Sequence, residues 1–221
     1  MYTPRHFAMP PELLARVLAA PGAGELVTVG PDGPVATHLP YVHRPDSDGL
    51  GSLVLHVARN NTQWRHEGRA LFLITLASDY VSSLWYPSAQ RDGKLVPTWD
   101  YATVHLSGEL IAHDDPAWTR SAAELLMGRH EATLSMDQMP ADYVAGQLRA
   151  IVGLELRIDA IEAKAKLSQN RMPEDVLGVI DGLRGAGAEG TADLVAEFAL
   201  PAAERRAALI ADVAGRRGRL E

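Results

Sequence analysis

Cysteine is absent from this 221-residue chain, which removes disulfides and thiolate metal sites from consideration. No stretch approaches the roughly 20 consecutive apolar residues of a membrane span, and the N-terminal MYTPRHFAMPP lacks the apolar core of a signal peptide. The expected location is the cytoplasm, with no membrane partner. Positive charge is also short, the formal net charge being −7. Nucleic-acid binding depends on neutralising phosphates, so direct DNA contact is left open but gains no support from the composition. The arginines at the C-terminal end (Arg205, Arg206, Arg216, Arg217 and Arg219) read most simply as a solvated helix terminus. The G-x-S-x-G, H-E-x-x-H, P-loop and G-x-G-x-x-G patterns are all missing. Eight histidines are present, but His38, His43, His56, His66 and His105 share no helical ligand spacing, and no metal site is expected.

Lysine is the scarcest charged residue, with three against eighteen arginines. Two of the three stand in the run AKAKLSQNR, where Lys164 and Lys166 precede Ser168, Gln169, Asn170 and Arg171. A chain that prefers arginine this strongly uses lysine where a compact, freely rotating ammonium suits better than a planar fork. Such a grouping can hold an anion such as a phosphate. It can equally be a solvated strand end.

Periodicity organises the rest. PELLARVLAA (Pro11–Ala20) predicts a short helix stopped by Pro21 and Gly22. Glu25–Gly30 and Pro34–Val42 read as strands joined by Pro31, Asp32 and Gly33. Ser52–Ala58 is apolar at nearly every position, as for a strand buried on both faces. A short helix over Asn60–Gly68, a strand over Arg69–Leu76 and another over Tyr101–Ala112 follow. Helices are expected at Pro116–Gly128 and Ala141–Ile151. Then Val152, Leu154, Leu156 and Ile158 alternate with Glu155, Arg157 and Asp159, a half-buried strand leading into the lysine run. From Pro173 the pattern is helical and alanine-rich, interrupted at Gly185–Gly190. About six short strands within the first 112 residues, and one more after a helical insertion, predict a small antiparallel barrel. The strands lie too close together for helical crossovers.

Four further segments could carry chemistry. In HVARNNTQW (His56–Trp64) a strand runs out into Arg59, Asn60, Asn61 and Gln63 where a helix should start, a place suited to an anion. One asparagine is expected to cap the helix, whereas Arg59 and Gln63 have no such duty. Trp85, Tyr86, Trp99 and Tyr101 crowd two stretches of a chain that is only 6% aromatic, which fits a stacked ring, an aromatic core or a subunit interface. HLPY (His38–Tyr41) places proline in mid-strand, a mark of an edge or bulge. His105, beside Thr103 and Ser107 on a polar strand face, is the one candidate proton donor.

Taken in order, MYTPRHF, HLPY, HVARNNTQW, YVSSLWY, VPTWDYATVHLSG and IEAKAKLSQNR resemble the PaiB family, bacterial proteins described as FMN-binding negative transcriptional regulators. The resemblance runs from Met1 to about Leu200, and Ser83–Leu84 depart from the proline and serine usual before the tryptophan. It implies an α+β, mainly β fold: an FMN-binding split β-barrel with flanking helices and a C-terminal helical segment, the barrel at 1–172 and a helical extension at 173–221. It further implies a homodimer with shared flavin sites. By analogy His38, Leu39, Pro40 and Tyr41 would run along the isoalloxazine, with Ala58, Arg59, Asn60, Asn61 and Gln63 near the phosphate or ribityl chain. Trp99 and Tyr101 would form a wall, and Lys164, Lys166, Ser168 and Gln169 would add phosphate or ring contacts. The family's regulatory role is repression of degradative-enzyme and sporulation genes. The alternatives are a flavin-dependent oxidoreductase acting on a small acceptor and, on the same scaffold, a haem-binding protein.

Overall fold

The structure, a computed structural model, describes residues 1–93 and 96–217; Lys94 and Arg219 lie outside the described residues. Six strands close into a barrel in the order β1-β2-β3-β6-β5-β4. They are β1 Gly22–Gly30, β2 Gly33–Arg44, β3 Ser52–Ala58, β4 Gly68–Val81, β5 Thr98–His113 and β6 Ile151–Lys166. Five precede residue 114 and one follows the helical insertion, one fewer than the sequence suggested. The β1–β2, β1–β4, β2–β3 and β3–β6 pairings are all antiparallel. The described residues fall into two compact units, one built from Glu12–Ile74 and Val104–Glu162, the other from Met1–Pro11, Thr75–Thr103 and the chain from Ala163 onward.

In the first unit, α1 (Pro11–Ala19) buries Leu13 and Val17, four residues apart and so on one face. Tyr41 lies under it, its hydroxyl donating to the Val17 carbonyl at 3.0 Å and its ring edge-on to Phe72 at 5.5 Å. Pro31 and Asp32 join β1 to β2, and the chain re-enters the sheet at Gly33, whose φ of 115° lies in a region that favours glycine. From the closing pair Gly30↔Gly33 the register runs unbroken to Gly22↔Tyr41. Antiparallel pairs alternate between bonded and non-bonded, so Pro34, Ala36, His38 and Pro40 direct their backbone polar groups away from β1. The β3 ladder begins only at Val42. Proline therefore sits where its missing donor breaks no β1–β2 bond.

The insertion between β5 and β6 comprises α3 (Pro116–His130), a 3-10 turn at Met136–Gln138 and α4 (Ala141–Arg149). Asp115 caps α3, its carboxylate accepting from Trp118 N at 2.9 Å. Ser135 and Gln138 form a capping box on the turn.

In the second unit, α5 (Pro173–Gly185), α6 (Glu189–Leu194), a π turn at Val195–Ala199 and α7 (Leu200–Arg217) follow one another. The wide turn comes immediately before Pro201, whose ring would otherwise press on a carbonyl four residues back. Gly178 and Gly182 lie one turn apart on α5 and make room for Trp85, which would collide with a Cβ at either position. Asp175, buried in the first turn of α5, accepts from Ser88 N at 2.9 Å and Ser88 Oγ at 2.6 Å. This ties α5 to the start of α2 (Pro87–Asp92). Thr191 bonds to Asp79. Residues beyond Pro173 thus share one compact unit with the stretch from Thr75 to Thr103. None of the described helices is long and apolar enough to cross a membrane.

Candidate functional site

In the first unit, β3 ends at Ala58 and the chain turns back, Asn61 N bonding to the Ala58 carbonyl at 2.8 Å. Asn61 is the cap, its side-chain oxygen accepting from Gln63 N at 3.0 Å while its amide donates to Thr37 Oγ1 of β2, also at 3.0 Å. The expected helix over Asn60–Gly68 shrinks to the 3-10 turn Thr62–Arg65. Gln63 explains why. Only 1% exposed, it donates to the Leu26 carbonyl at 2.9 Å and the Val35 carbonyl at 3.2 Å, pinning the turn to β1 and β2. Gln63 thus has a structural duty that the sequence did not suggest.

Arg59 is held from three sides. Its Nε donates to the Arg149 carbonyl at 2.7 Å, and its Nη2 to the Ile151 carbonyl at 3.1 Å and to Asp114 at 2.7 Å. Asp114 is drawn below the usual carboxylate range by its hydrogen bond to Arg59. The guanidinium remains 38% exposed, and its Nη1 has no protein acceptor among the described residues. Ala58 and Asn60 are exposed beside it. His38 stands on the exposed side of β2, its Nδ1 2.9 Å from Glu25, while Leu39 and Tyr41 are buried. The contact between Asn61 and Thr37 joins the strand that carries HLPY to the turn that follows Arg59. Outward backbone groups at Ala36 and His38, an exposed Asn60 and a fixed guanidinium edge make a place for a phosphorylated ligand.

In the second unit, Trp99, Tyr101, Lys164, Lys166, Ser168 and Gln169 also come together, but their polar groups face one another. Lys166 Nζ bonds to Thr98 Oγ1 at 2.7 Å, the Trp99 carbonyl at 2.6 Å and Asp100 at 3.2 Å. All three ammonium hydrogens have protein acceptors, so a phosphate contact would require Lys166 to give one up. Ser168, in the left-handed region at φ 62°, donates to the other Asp100 oxygen at 2.6 Å. Gln169 bonds to Leu167 N and the Ala165 carbonyl, at 2.7 and 2.6 Å. Lys164 is buried, donates to the Tyr2 carbonyl at 3.3 Å, and lies 5.1 Å from the Tyr101 ring centre. Trp99 is 50% exposed, donates to Ser78 Oγ at 2.8 Å and meets Tyr80 edge-on at 6.2 Å. The lysine run is therefore the end of β6 itself, not a tail following it.

Besides Asp175, two buried carboxylates escaped the sequence reading. Asp100 is fully buried, and burial raises its pKa against the lowering pull of Ser168 and Lys166. Its sign in the sequence is an Asp in phase with Ala102, Val104 and Leu106, all buried. Glu155 was expected on the solvent face of β6, yet it is 7% exposed. It accepts from Ser52 Oγ and Arg44 Nη2, both at 3.0 Å. β6 is buried on both faces here, since Val152, Gly153, Leu154, Glu155 and Leu156 are all covered. His105 is half-buried on the same face of β5 as Thr103 and Ser107, and burial lowers its pKa. Its imidazole is thus kept neutral near pH 7.

Residues 1–160 match a family model described as "Putative FMN-binding domain". The chain is 29% identical over 194 residues to the Bacillus subtilis "Protease synthase and sporulation protein PAI 2", covering 83% of this chain and 89% of that one. Among solved structures it resembles a FAD- and haem-binding protein of Mycobacterium smegmatis, at 17% identity and a TM-score of 0.55 over 73% of this chain and 74% of that one. It also resembles the flavocytochrome Anf3 of Azotobacter vinelandii, at 13% identity and a TM-score of 0.55, covering 71% and 67% of the respective chains. The shared fold is the split β-barrel with flanking helices.

Proposed function

The chain belongs to the PaiB family of FMN-binding domains, and from that premise we propose that it is a homodimeric flavin-binding regulator that represses transcription. FMN supplies a redox-active ring and a phosphate; the chain's residues supply its seat. The observation that carries the reading is the outward backbone of β2 from Pro34 to Pro40, which is joined to the turn following the anchored Arg59 by the Asn61–Thr37 hydrogen bond. Arg59 Nη1 and Asn60 would hold the phosphate, and the strand His38–Tyr41 would run along the ring, giving backbone contacts at His38 and apolar support at Pro40. Within the second unit, Lys166, Ser168 and Gln169 would act by fixing Asp100 and the end of β6.

Support for a dimer comes from Leu76, Tyr80 and Trp99, which are 37%, 51% and 50% exposed on neighbouring strands of the second unit. Aromatic and aliphatic groups left together in this way are typical of surfaces that a second subunit covers. A net charge of −7 opposes dense phosphate contact, so repression would run through a partner or through the flavin's redox state rather than through a basic DNA face.

A flavin-dependent oxidoreductase is the second reading. It is favoured by the flavocytochrome and the FAD- and haem-binding protein that share the fold, while the half-buried His105, kept neutral by burial, would serve as a proton acceptor rather than the donor expected from the sequence. Turnover of NAD(P)H with a quinone or nitro acceptor would favour it.

The deciding measurement is the absorbance of the freshly purified protein, followed by FMN titration of the parent and Arg59→Ala. The expected results are saturable binding by the parent and about tenfold weaker binding by the variant, since one charge-assisted contact is lost. Equal affinities would remove Arg59 from the site. A parent that binds no FMN would overturn the whole reading.

A further inference from the structure

The helical insertion of the first unit, together with β3 and β6, borders an open-mouthed cavity of about 260 Å³ that the flavin reading leaves unused. Ala123 of α3, Met136 of the 3-10 turn, Met139 just after it, Val144 and Leu148 of α4, and Ile151 supply apolar walls, and Tyr143 and Gln147 of α4 complete the lining. No lysine, arginine, aspartate or glutamate lines it. One imidazole does: His56 of β3, whose Nδ1 is buried without a hydrogen-bond partner. Burial also lowers the His56 pKa, which keeps the ring neutral. A neutral imidazole presents one donor and one acceptor, and a buried one left unmatched is costly. A largely apolar hollow with two neutral polar side chains and one buried, unmatched polar atom has the composition of a small-molecule pocket. Methionines at its rim let it adapt to shape.

We propose that this cavity binds a small neutral molecule of one or two rings carrying a hydroxyl, and that its occupancy is felt at Arg59. The size follows from volume, since an apolar cavity of about 150 Å³ already takes benzene. Neutrality follows from the uncharged walls, where an ion would lose its hydration without compensation. A hydroxyl both donates and accepts, so it satisfies His56 Nδ1 in either tautomer. The link to Arg59 is short. Leu148 and Ile151 line the cavity and bracket Arg149 and Ala150. The Arg149 and Ile151 carbonyls receive the Arg59 guanidinium, and the Ala150 carbonyl receives Arg59 N at 2.8 Å. A guest that shifts this segment moves the group proposed to hold the FMN phosphate. The link to flavin rests on the proposed function, whereas binding in the cavity does not.

The test is a fluorescence titration of the full chain with 2-naphthol, and a parallel one with naphthalene. The parent should bind 2-naphthol saturably at one site per chain. Ala123→Phe and, separately, Leu148→Phe fill the hollow and should weaken binding by about twentyfold or more, as overpacking leaves no room. His56→Phe should weaken 2-naphthol by about tenfold while changing naphthalene little, the signature of one lost hydrogen bond. Circular dichroism establishes that each variant is folded. Absence of saturable binding by the parent, or unchanged affinity in a folded filling variant, would overturn the cavity proposal. Saturating 2-naphthol should shift the parent's FMN dissociation constant by about threefold or more, a modest coupling, and leave Ala123→Phe unshifted. An unshifted parent would overturn the link to Arg59. If the parent takes up no FMN, the flavin reading and this link fail together, while the naphthol titration still decides the cavity.

Discussion

Lys166 Nζ lies 3.2 Å from Asp100 Oδ1, with the lysine side chain 22% exposed and the aspartate fully buried. The pair places one of the chain's three lysines opposite a carboxylate that has no access to water. Ser168 completes the arrangement, its unusual backbone angle placing its hydroxyl on the second carboxylate oxygen. Removing the ammonium would strand a buried charge.

Lys166→Met should therefore cost about 3 kcal/mol of folding stability, the usual scale for breaking a buried pair from one side. The double variant Lys166→Met, Asp100→Asn should regain a good part of that loss. Urea denaturation of the parent and the two variants checks both statements, and an unchanged midpoint for Lys166→Met would remove the pair from the fold's support.

Gln63→Leu should cost roughly 1–3 kcal/mol, because it removes the two hydrogen bonds that pin the turn to the Leu26 and Val35 carbonyls. Folded variant should still bind FMN, since the amide faces the hairpin rather than the exposed turn. Chemical denaturation and an FMN titration on the same preparation separate the two effects.

Glu155 sets the acid limb of stability. Burial alone would raise its pKa, but hydrogen bonds from Ser52 and His113, with Arg157 and Arg44 nearby, hold it below the ordinary value of 4.5. The folded state thus releases this proton more readily than the unfolded chain. Its stabilisation is present above about pH 4.5 and is lost as the pH falls through the depressed folded value. Glu155→Gln should lower stability at pH 7 and flatten the decline below pH 4.5, as followed by melting temperature against pH.

Gly182→Ala should destabilise by about 1–3 kcal/mol, as extra volume in a filled space does, because the added methyl meets the Trp85 ring. Tryptophan fluorescence should shift with it. Gly185→Ala, where a Cβ meets nothing, serves as the control and should be neutral or slightly stabilising.

The barrel was legible wherever both chemistry and period were local. β3 was placed at Ser52–Ala58 with the observed ends because its side chains are apolar on both faces. α1 was legible from Leu13 and Val17. What escaped depends on partners far along the chain. Gln63 looked free because Leu26 and Val35 stand 37 and 28 positions away. Glu155 looked solvated because Ser52 stands 103 positions away. β6 runs on through Lys164 and Lys166 because their long stems lie along the sheet while their ammonium groups find partners. Periodicity reads polarity along one strand and has no access to the neighbour that neutralises it. The candidate site was legible as two motif groups, and each group assembles within its own unit. The spent donors of Lys166 and the availability of Arg59 Nη1 emerge only from the geometry.

Pro34 and Pro40 bracket the outward-facing stretch of β2, and their missing donors guard it. Foreign chains seeking to extend the sheet would find N–H donors only at Ala36 and His38 between two gaps, too few to seed a fibril. Replacing both prolines with valine would turn this stretch into an adhesive strand, and the cost would show in the flask as precipitated protein long before any change in cofactor uptake.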